Sequence, residues 1–241
     1  MAHPWLTAKC DNNKVVVVGT FDRASDLSPI KCHEVLERVF ESDATRVYIS
    51  TKLPIGIDEE LLQRVFCTTR VLRLQYGGEP EHEALCKALA HEACMIETLS
   101  MVTRYVLGIS GFEAAFKVNK SLRQVFSWQG TPEVCRVISR NTTIEHLHFA
   151  VVSMGKNGLA KTMRQMPSLT SVGTSWMTTP PMEDIRAVWP NCVPGREGAL
   201  LRDRSVLFYD ERRIRRALYE CAGRILPDHV IRDIVDEMIL V

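Results

Sequence analysis

Cysteine and histidine lie close together at Cys86, His91 and Cys94, and two further histidines, His146 and His148, flank Leu147. Thiolate and imidazole are the usual ligands of a zinc ion, which in a structural site takes four of them in a tetrahedron. Within one helix, spacings of five and three bring Cys86, His91 and Cys94 only partly onto a common face, and neither a fourth ligand nor a second pair is evident. Buried, reduced cysteine accounts for them better than a metal site, so no metal is expected. Catalysis has no constellation to stand on either. The chain contains no Walker-type phosphate loop, no G-x-S-x-G elbow and no zincin helix, and no cofactor is expected.

The sharpest enzymatic pattern is Val16-Val17-Val18-Gly19-Thr20-Phe21-Asp22, with His33 beyond it. A strand, this turn and a helix resemble the opening of the cytidylyl and adenylyl transferase superfamily. The resemblance implies a histidine at the helix start meeting the nucleotide phosphates, with the helix N-terminus adding to the stabilisation of that charge. The family's first histidine is absent here, and His33 lies further from Asp22 than the pattern G-T-F-D-x-x-x-x-G-H allows. A nucleotidyltransferase-like enzyme is therefore the alternative to a purely structural first strand and turn.

Composition narrows the field further. Hydrophobic residues at 46% and charged residues at 24% are ordinary globular usage, which argues against a disordered or fibrous chain. Lysine plus arginine at 30 nearly balance aspartate plus glutamate at 29, so no global field would gather nucleic acid or an anionic membrane. The opening MAHPWLTAKCDNNK lacks the apolar core of a signal peptide, and no stretch approaches the roughly 20 apolar residues of a membrane helix. The eight cysteines are scattered through apolar-periodic segments instead of framing loops, which fits reduced thiols of a cytoplasmic or nuclear protein.

The elements that would position any site follow from a recurring unit. Short apolar runs read TRVYIS, VLRLQY, IETLSM, LRQVFS, IEHLHF and LTSVGT. One inward position from each, Val47, Leu74, Leu99, Val125, Leu147 and Val172, gives separations of 27, 25, 26, 22 and 25 residues. Between the runs, apolar residues recur at helical spacing, as in Leu61-Leu62 with Val65-Phe66, Ala84-Leu85 with Ala88-Leu89, and Phe112 with Ala115-Phe116. Val134 with Val137-Ile138, and Leu159-Ala160 with Met163, continue the pattern. Each unit is a strand, a turn, a helix and a turn. A single unit cannot bury both its strand and its helix, so units must stack, strands in a parallel sheet and helices in an outer wall. Lys14 to Gly19 and the helical Glu34 to Phe40 supply an atypical first unit, with Val17 thirty residues before Val47.

The stretch TTIEHLHFAVVSMGKNGLAKTMRQMPSLTSV resembles the ribonuclease-inhibitor-like leucine-rich repeat. Ile144, Leu147 and Phe149 take the three strand positions of its L-x-x-L-x-L pattern, Gly158 stands where that family often has a glycine before the helix, and Pro167-Ser168-Leu169 reopens the next strand. Asn119-Lys120-Ser121-Leu122 and Asn141-Thr142-Thr143-Ile144 are similar helix-to-strand joints. The resemblance covers about residues 43 to 176 and implies an α/β fold, a right-handed βα superhelix with its parallel sheet on a concave face, whose role is to bind protein. Two departures stand out: the asparagine or cysteine that usually follows the strand is mostly absent, and Val125, Ser127, Val172 and Thr174 replace leucine.

Strand alternation then selects the residues pointing away from the helices. They include Arg46, Tyr48, Arg73, Gln75, Thr98, Ser100, Gln124, Phe126, Trp128, His146, His148, Ser171 and Ser175. Phe126 and Trp128 beside His146 and His148 form an aromatic cluster of the kind that anchors protein interfaces, with Tyr48, Arg73, Gln75 and Gln124 around it. Two alternatives stay open, that the cluster packs under a terminal segment of the same chain and that the register is off by one.

After Trp176 the unit stops. Residues 177–195 are a Pro-rich connector with Pro180, Pro181, Pro190 and Pro194, and residues 196–241 read as helical, from Asp210 to Ile225 and again from Pro227. Leu226, Pro227, Val230 and Ile234 are similar to the opening of F-box motifs and to the end of SOCS-box motifs, adaptor-docking helices of cullin-type ubiquitin ligases. That resemblance implies a ligase adaptor as a partner, whereas solenoid physics asks only for a terminal cap. Together these readings make the chain a non-enzymatic protein-interaction module with no nucleic-acid or membrane partner expected, which holds another protein on its concave face, and the F-box-like and SOCS-box-like resemblance implies the substrate receptor of a cullin-type ubiquitin ligase.

Overall fold

In a computed structural model, the structure describes residues 5–10, 13–18, 29–42, 44–49, 53, 56–75, 79–101, 111–155, 157–174, 182–190, 192–196 and 206–210. The chain is α/β, as its patterning suggests. Strands β1 (Trp5–Cys10), β2 (Asn13–Val18), β3 (Arg46–Ile49), β4 (Val71–Leu74) and β5 (Thr98–Met101) are followed by β6 (Gln124–Gly130), β7 (His146–Val152), β8 (Ser171–Thr174), β9 (Cys192–Arg196) and β10 (Val206–Asp210). They form one sheet in the order β1-β2-β3-β4-β5-β6-β7-β8-β10-β9. From β2 to β8 every pairing is parallel and every neighbour in space is a neighbour in sequence. The helices α1 (Pro29–Glu41), α2 (Glu59–Thr68), α3 (Glu79–Ala90), α4 (Phe112–Val118), α5 (Pro132–Ile138), α6 (Gly158–Arg164) and α7 (Met182–Arg186) connect them, each packing on the next. No helix among the described residues is long and apolar enough to cross a membrane.

The hydrogen-bond register explains why the strands stay aligned. Val47, Leu72, Leu99, Val125, Leu147 and Val172 stand opposite one another across six strands, and none is more than 1% exposed. Burying such a side chain contributes roughly 1.5–3 kcal/mol, and slipping a strand by one residue would turn its whole apolar set to the wrong face. Two expected positions are corrected here. Leu72, not Leu74, aligns with Val47 and Leu99, and Val16, not Val17, pairs with Val47. Leu74 still faces the helices, two residues further along with Ile49 and Met101, because alternation preserves the face while leaving the row undecided. In that second row Ser127 replaces an aliphatic residue and bonds the Gln129 carbonyl of its own strand at 3.1 Å. The ring of Phe149 fills the space opposite, so close to Gly130 that a Cβ there would lie 2.9 Å from it.

Polar side chains join successive units where the backbone leaves its regular elements. The Asn119 and Asn141 amides lie at the helix-to-strand joints that the sequence marks. Asn119 donates to the Leu89 carbonyl at 2.9 Å and accepts from the Leu122 N–H at 2.8 Å. Asn141 donates to the Phe116 and Asn119 carbonyls and accepts from the Thr143 and Ile144 N–H groups. Each amide therefore satisfies backbone groups of two units, which matters because both residues are buried and unpaired groups there are costly. Helices α2 and α5 carry their own caps, Asp58 accepting from the Leu61 N–H and Thr131 from the Val134 N–H. At α6 no side chain of its own caps the helix. Asp184 of α7 does so instead, accepting from the N–H groups of Asn157, Leu159 and Ala160 at 3.0, 2.9 and 3.2 Å.

The two ends of the sheet differ from the sequence reading. β1 runs antiparallel to β2, and β10 runs antiparallel to both β8 and β9. Thus Cys192–Arg196 is a strand where a connector was expected, and Val206–Asp210 is a strand where a helical segment was expected. VLFYD is rich in β-branched and aromatic residues, which suit a pleated surface, so its pairing with β8 has a local basis. The helix expected from Asp210 to Ile225 loses its first residue to β10, and its remainder lies outside the described residues.

Candidate functional site

The sheet has two unlike faces. The apolar rows meet the helices, whereas on the opposite face the register aligns Tyr48, Arg73, Ser100, Phe126, His148 and Gly173. A second row on that face runs through Arg46, Val71, Thr98, Gln124, His146 and Ser171. Gln75 and Trp128 follow two residues beyond Arg73 and Phe126, on the same side by alternation. All eight residues expected to bind protein, Tyr48, Arg73, Gln75, Gln124, Phe126, Trp128, His146 and His148, are therefore brought together on one face. Arg73 and Gln75 are exposed, and Tyr48, Gln124, Phe126, Trp128 and His146 are half-buried.

His148 departs from the expectation of an outward contact. It is only 4% exposed, and its ring lies flat on Phe126, with centroids 4.6 Å apart and planes 14° apart. Neither ring nitrogen has a hydrogen-bond partner among the described residues. Burial pushes its pKa down to about 4, so the imidazole is neutral at physiological pH. Its contribution is thus to back the Phe126 ring, not to touch a ligand itself. His146 accepts or donates through Nδ1 to the Ser171 hydroxyl at 2.7 Å, and burial lowers its pKa as well, against the opposing effect of Glu145. Ser171 is buried, so the face closes towards β8 and opens towards β4. Nothing in local sequence distinguishes His148 from His146; only the neighbours across the sheet decide which is covered.

The other candidate groups separate. His33 is on α1 between two carboxylates, 3.3 Å from Glu37 and 3.6 Å from Asp58, a negative setting unsuited to a phosphate. Gly19, Thr20, Phe21 and Asp22 lie outside the described residues. Cys94 is buried and Cys86 half-buried, while His91 is exposed and accepts from the Ala93 N–H through Nδ1. Burial pushes the Cys86 thiol up to about 11, away from the thiolate that ligates metal. Among the described residues no group of three His, Cys, Asp or Glu side chains is arranged to hold a metal ion. Leu226, Pro227, Val230 and Ile234, the expected adaptor-docking residues, lie outside the described residues, as does Ser175.

Sequence reasoning passed over two other features. One is the Asp184 bracket, whose residue type is common on any helix. The other is a cleft between α5 and α6 bordered by Arg136, Arg140 and Lys161, the two arginines from one unit and the lysine from the next, all unremarkable in sequence. No protein-family model and no curated protein matches the chain.

Proposed function

We propose that the chain is a leucine-rich-repeat superhelix of the ribonuclease-inhibitor-like kind, and that it is a non-enzymatic interaction module gripping a partner protein on the sheet face away from its helices. The single observation that carries this reading is the half-buried aromatic pair Phe126 and Trp128 on that face, with the Phe126 ring fixed from behind by buried His148. Rigid aromatic rings ringed by arginine and amide groups are the residues that concentrate binding energy at protein interfaces. Arg73, Gln75 and Gln124 supply hydrogen bonds around them, and Tyr48 extends the apolar surface. Sequential strand order with every described helix on the other side also supports the superhelix, since stacked units then share one continuous core.

The test compares the full chain with Phe126→Ala, Trp128→Ala and, on an exposed helix position, Lys117→Ala as bait in cell extract, read by quantitative mass spectrometry. A partner retained by the wild type and by Lys117→Ala should be lost with either aromatic change. For that partner, purified, each truncation should cost about 2 kcal/mol, or roughly thirtyfold in Kd. Equal recovery by all four proteins would refute the assignment of this face.

A further inference from the structure

A cleft of about 430 Å3 opens between α5 and α6, on the opposite side of the sheet from Phe126 and Trp128. Its floor is formed by small or apolar groups, including Cys135, Met154, Gly155 and Gly158. A Cβ built at Gly155 would meet nothing within 4 Å, so that part of the cleft is open space. The lips carry Arg136 from α5, Arg140 from the turn just after it and Lys161 from α6, all exposed.

The rims of this cleft differ in charge from most other helix–helix contacts. Several other adjacent helices are joined by polar contacts between opposite or complementary groups: His33 with Asp58 for α1 and the start of α2, Lys87 with Glu59 for α2 and α3, and Glu113 with Arg136 for α4 and α5. Asp184 performs the same service for α6 and α7. Across α5 and α6 both lips are cationic, and among the described residues no acidic side chain borders the cleft. Glu113, on the far side of α5, holds Arg136 and also accepts from the Nε of Arg140 at 2.7 Å. Glu133 of α5 also lies near Arg136, so two carboxylates face three cations and leave a local excess of one positive charge in a chain whose formal net charge is +1. The shared carboxylate also fixes both guanidinium groups, so their remaining N–H donors are positioned in advance.

We propose that this cleft is a second binding site, for an acidic segment of a partner protein that sets one apolar side chain over Gly155 and carboxylates against Arg140 and Lys161. An open cationic rim around an apolar floor suits alternating apolar and acidic side chains. It suits a small enclosed anion less well, because the arginine side chains of the rim remain more than half exposed. The site is independent of the sheet face and stands or falls separately from it.

The experiment is fluorescence anisotropy on the full chain with a labelled peptide of one leucine flanked on each side by glutamates. Companion peptides replace the leucine by glycine or the glutamates by lysines. The acidic leucine peptide should bind, the glycine peptide should bind roughly tenfold more weakly for the lost apolar burial, and the lysine peptide should not bind. Lys161→Glu should weaken the acidic peptide by about tenfold or more, and Gly155→Phe should obstruct it, with melting temperatures confirming that both variants fold. Lys161→Gln replaces Lys161→Glu if the charge reversal lowers the melting temperature, and should weaken binding less. Binding unchanged by the folded variants, equal binding of the leucine and glycine peptides, or no binding at millimolar peptide would each overturn the proposal. Displacement by inorganic phosphate but not by chloride at equal ionic strength would also overturn it, in favour of a small-anion site.

Discussion

Replacing His148 by phenylalanine should remove an acid-sensitive element of stability without removing the ring that backs Phe126. In the native protein burial holds the imidazole pKa near 4, against an ordinary value of 6.5. Because the unfolded chain takes up the proton first, stability from the neutral His148 is fully present above pH 6.5, falls as pH drops, and levels off below pH 4. At about 1.4 kcal/mol for each pH unit, the loss across that window is about 3 kcal/mol, a large part of the stability of an ordinary domain. Phenylalanine cannot charge. It also removes two buried nitrogens without partners among the described residues, a gain set against some crowding, so the two proteins should be similar at neutral pH. Urea denaturation followed by circular dichroism and tryptophan fluorescence at a series of pH values measures both curves. His146 and the carboxylates contribute to both proteins and cancel in the difference. The variant should become the more stable by about 3 kcal/mol at the acid end. A stability difference that stays flat from neutral pH to pH 4 would show that the His148 ring is solvated or paired, and the reasoning from its burial would fall.

Two further substitutions probe the joints between units. Asp184→Ala leaves three backbone N–H groups at the start of α6 without their acceptor and should lower stability by about 3 kcal/mol, seen in a thermal melt, with Asp184→Asn intermediate because one acceptor oxygen remains. Asn141→Asp keeps the acceptor for Thr143 and Ile144 but sets a carboxylate against the carbonyls of Phe116 and Asn119. Chemical denaturation should show a loss of about 3 kcal/mol or more at neutral pH, partly recovered in acid as the aspartate protonates.

Much of the fold was legible because two periodicities coexist in the chain. Apolar alternation at Val47 with Ile49, and at Leu147 with Phe149, marks strands, while Leu62 with Phe66 and Leu85 with Leu89 mark helices. A separation near 25 residues between the runs requires a helical crossover and therefore parallel neighbours. The eight residues of the candidate sheet face followed from the same alternation. The row was harder to read than the face, since Leu72 and Leu74 are both leucine and only hydrogen bonding to β3 and β5 separates them. Strands β9 and β10 were missed because the proline-rich and charged stretches around them mask short runs, of which β10 pairs with the distant β8 and β9 pairs only with β10.

The amino-acid order by itself determined the secondary structure of each unit and which face of each strand is apolar, because those depend on neighbours two, three or four residues away. Tertiary structure alone decided that His148 is covered while Gln75 is open, that Asp184 caps a helix it does not belong to, and that cations from α5, the turn after it and α6 share one cleft. Each of these depends on contacts between residues some 20 to 30 positions apart, where no local pattern carries the burial or the charge of the partner.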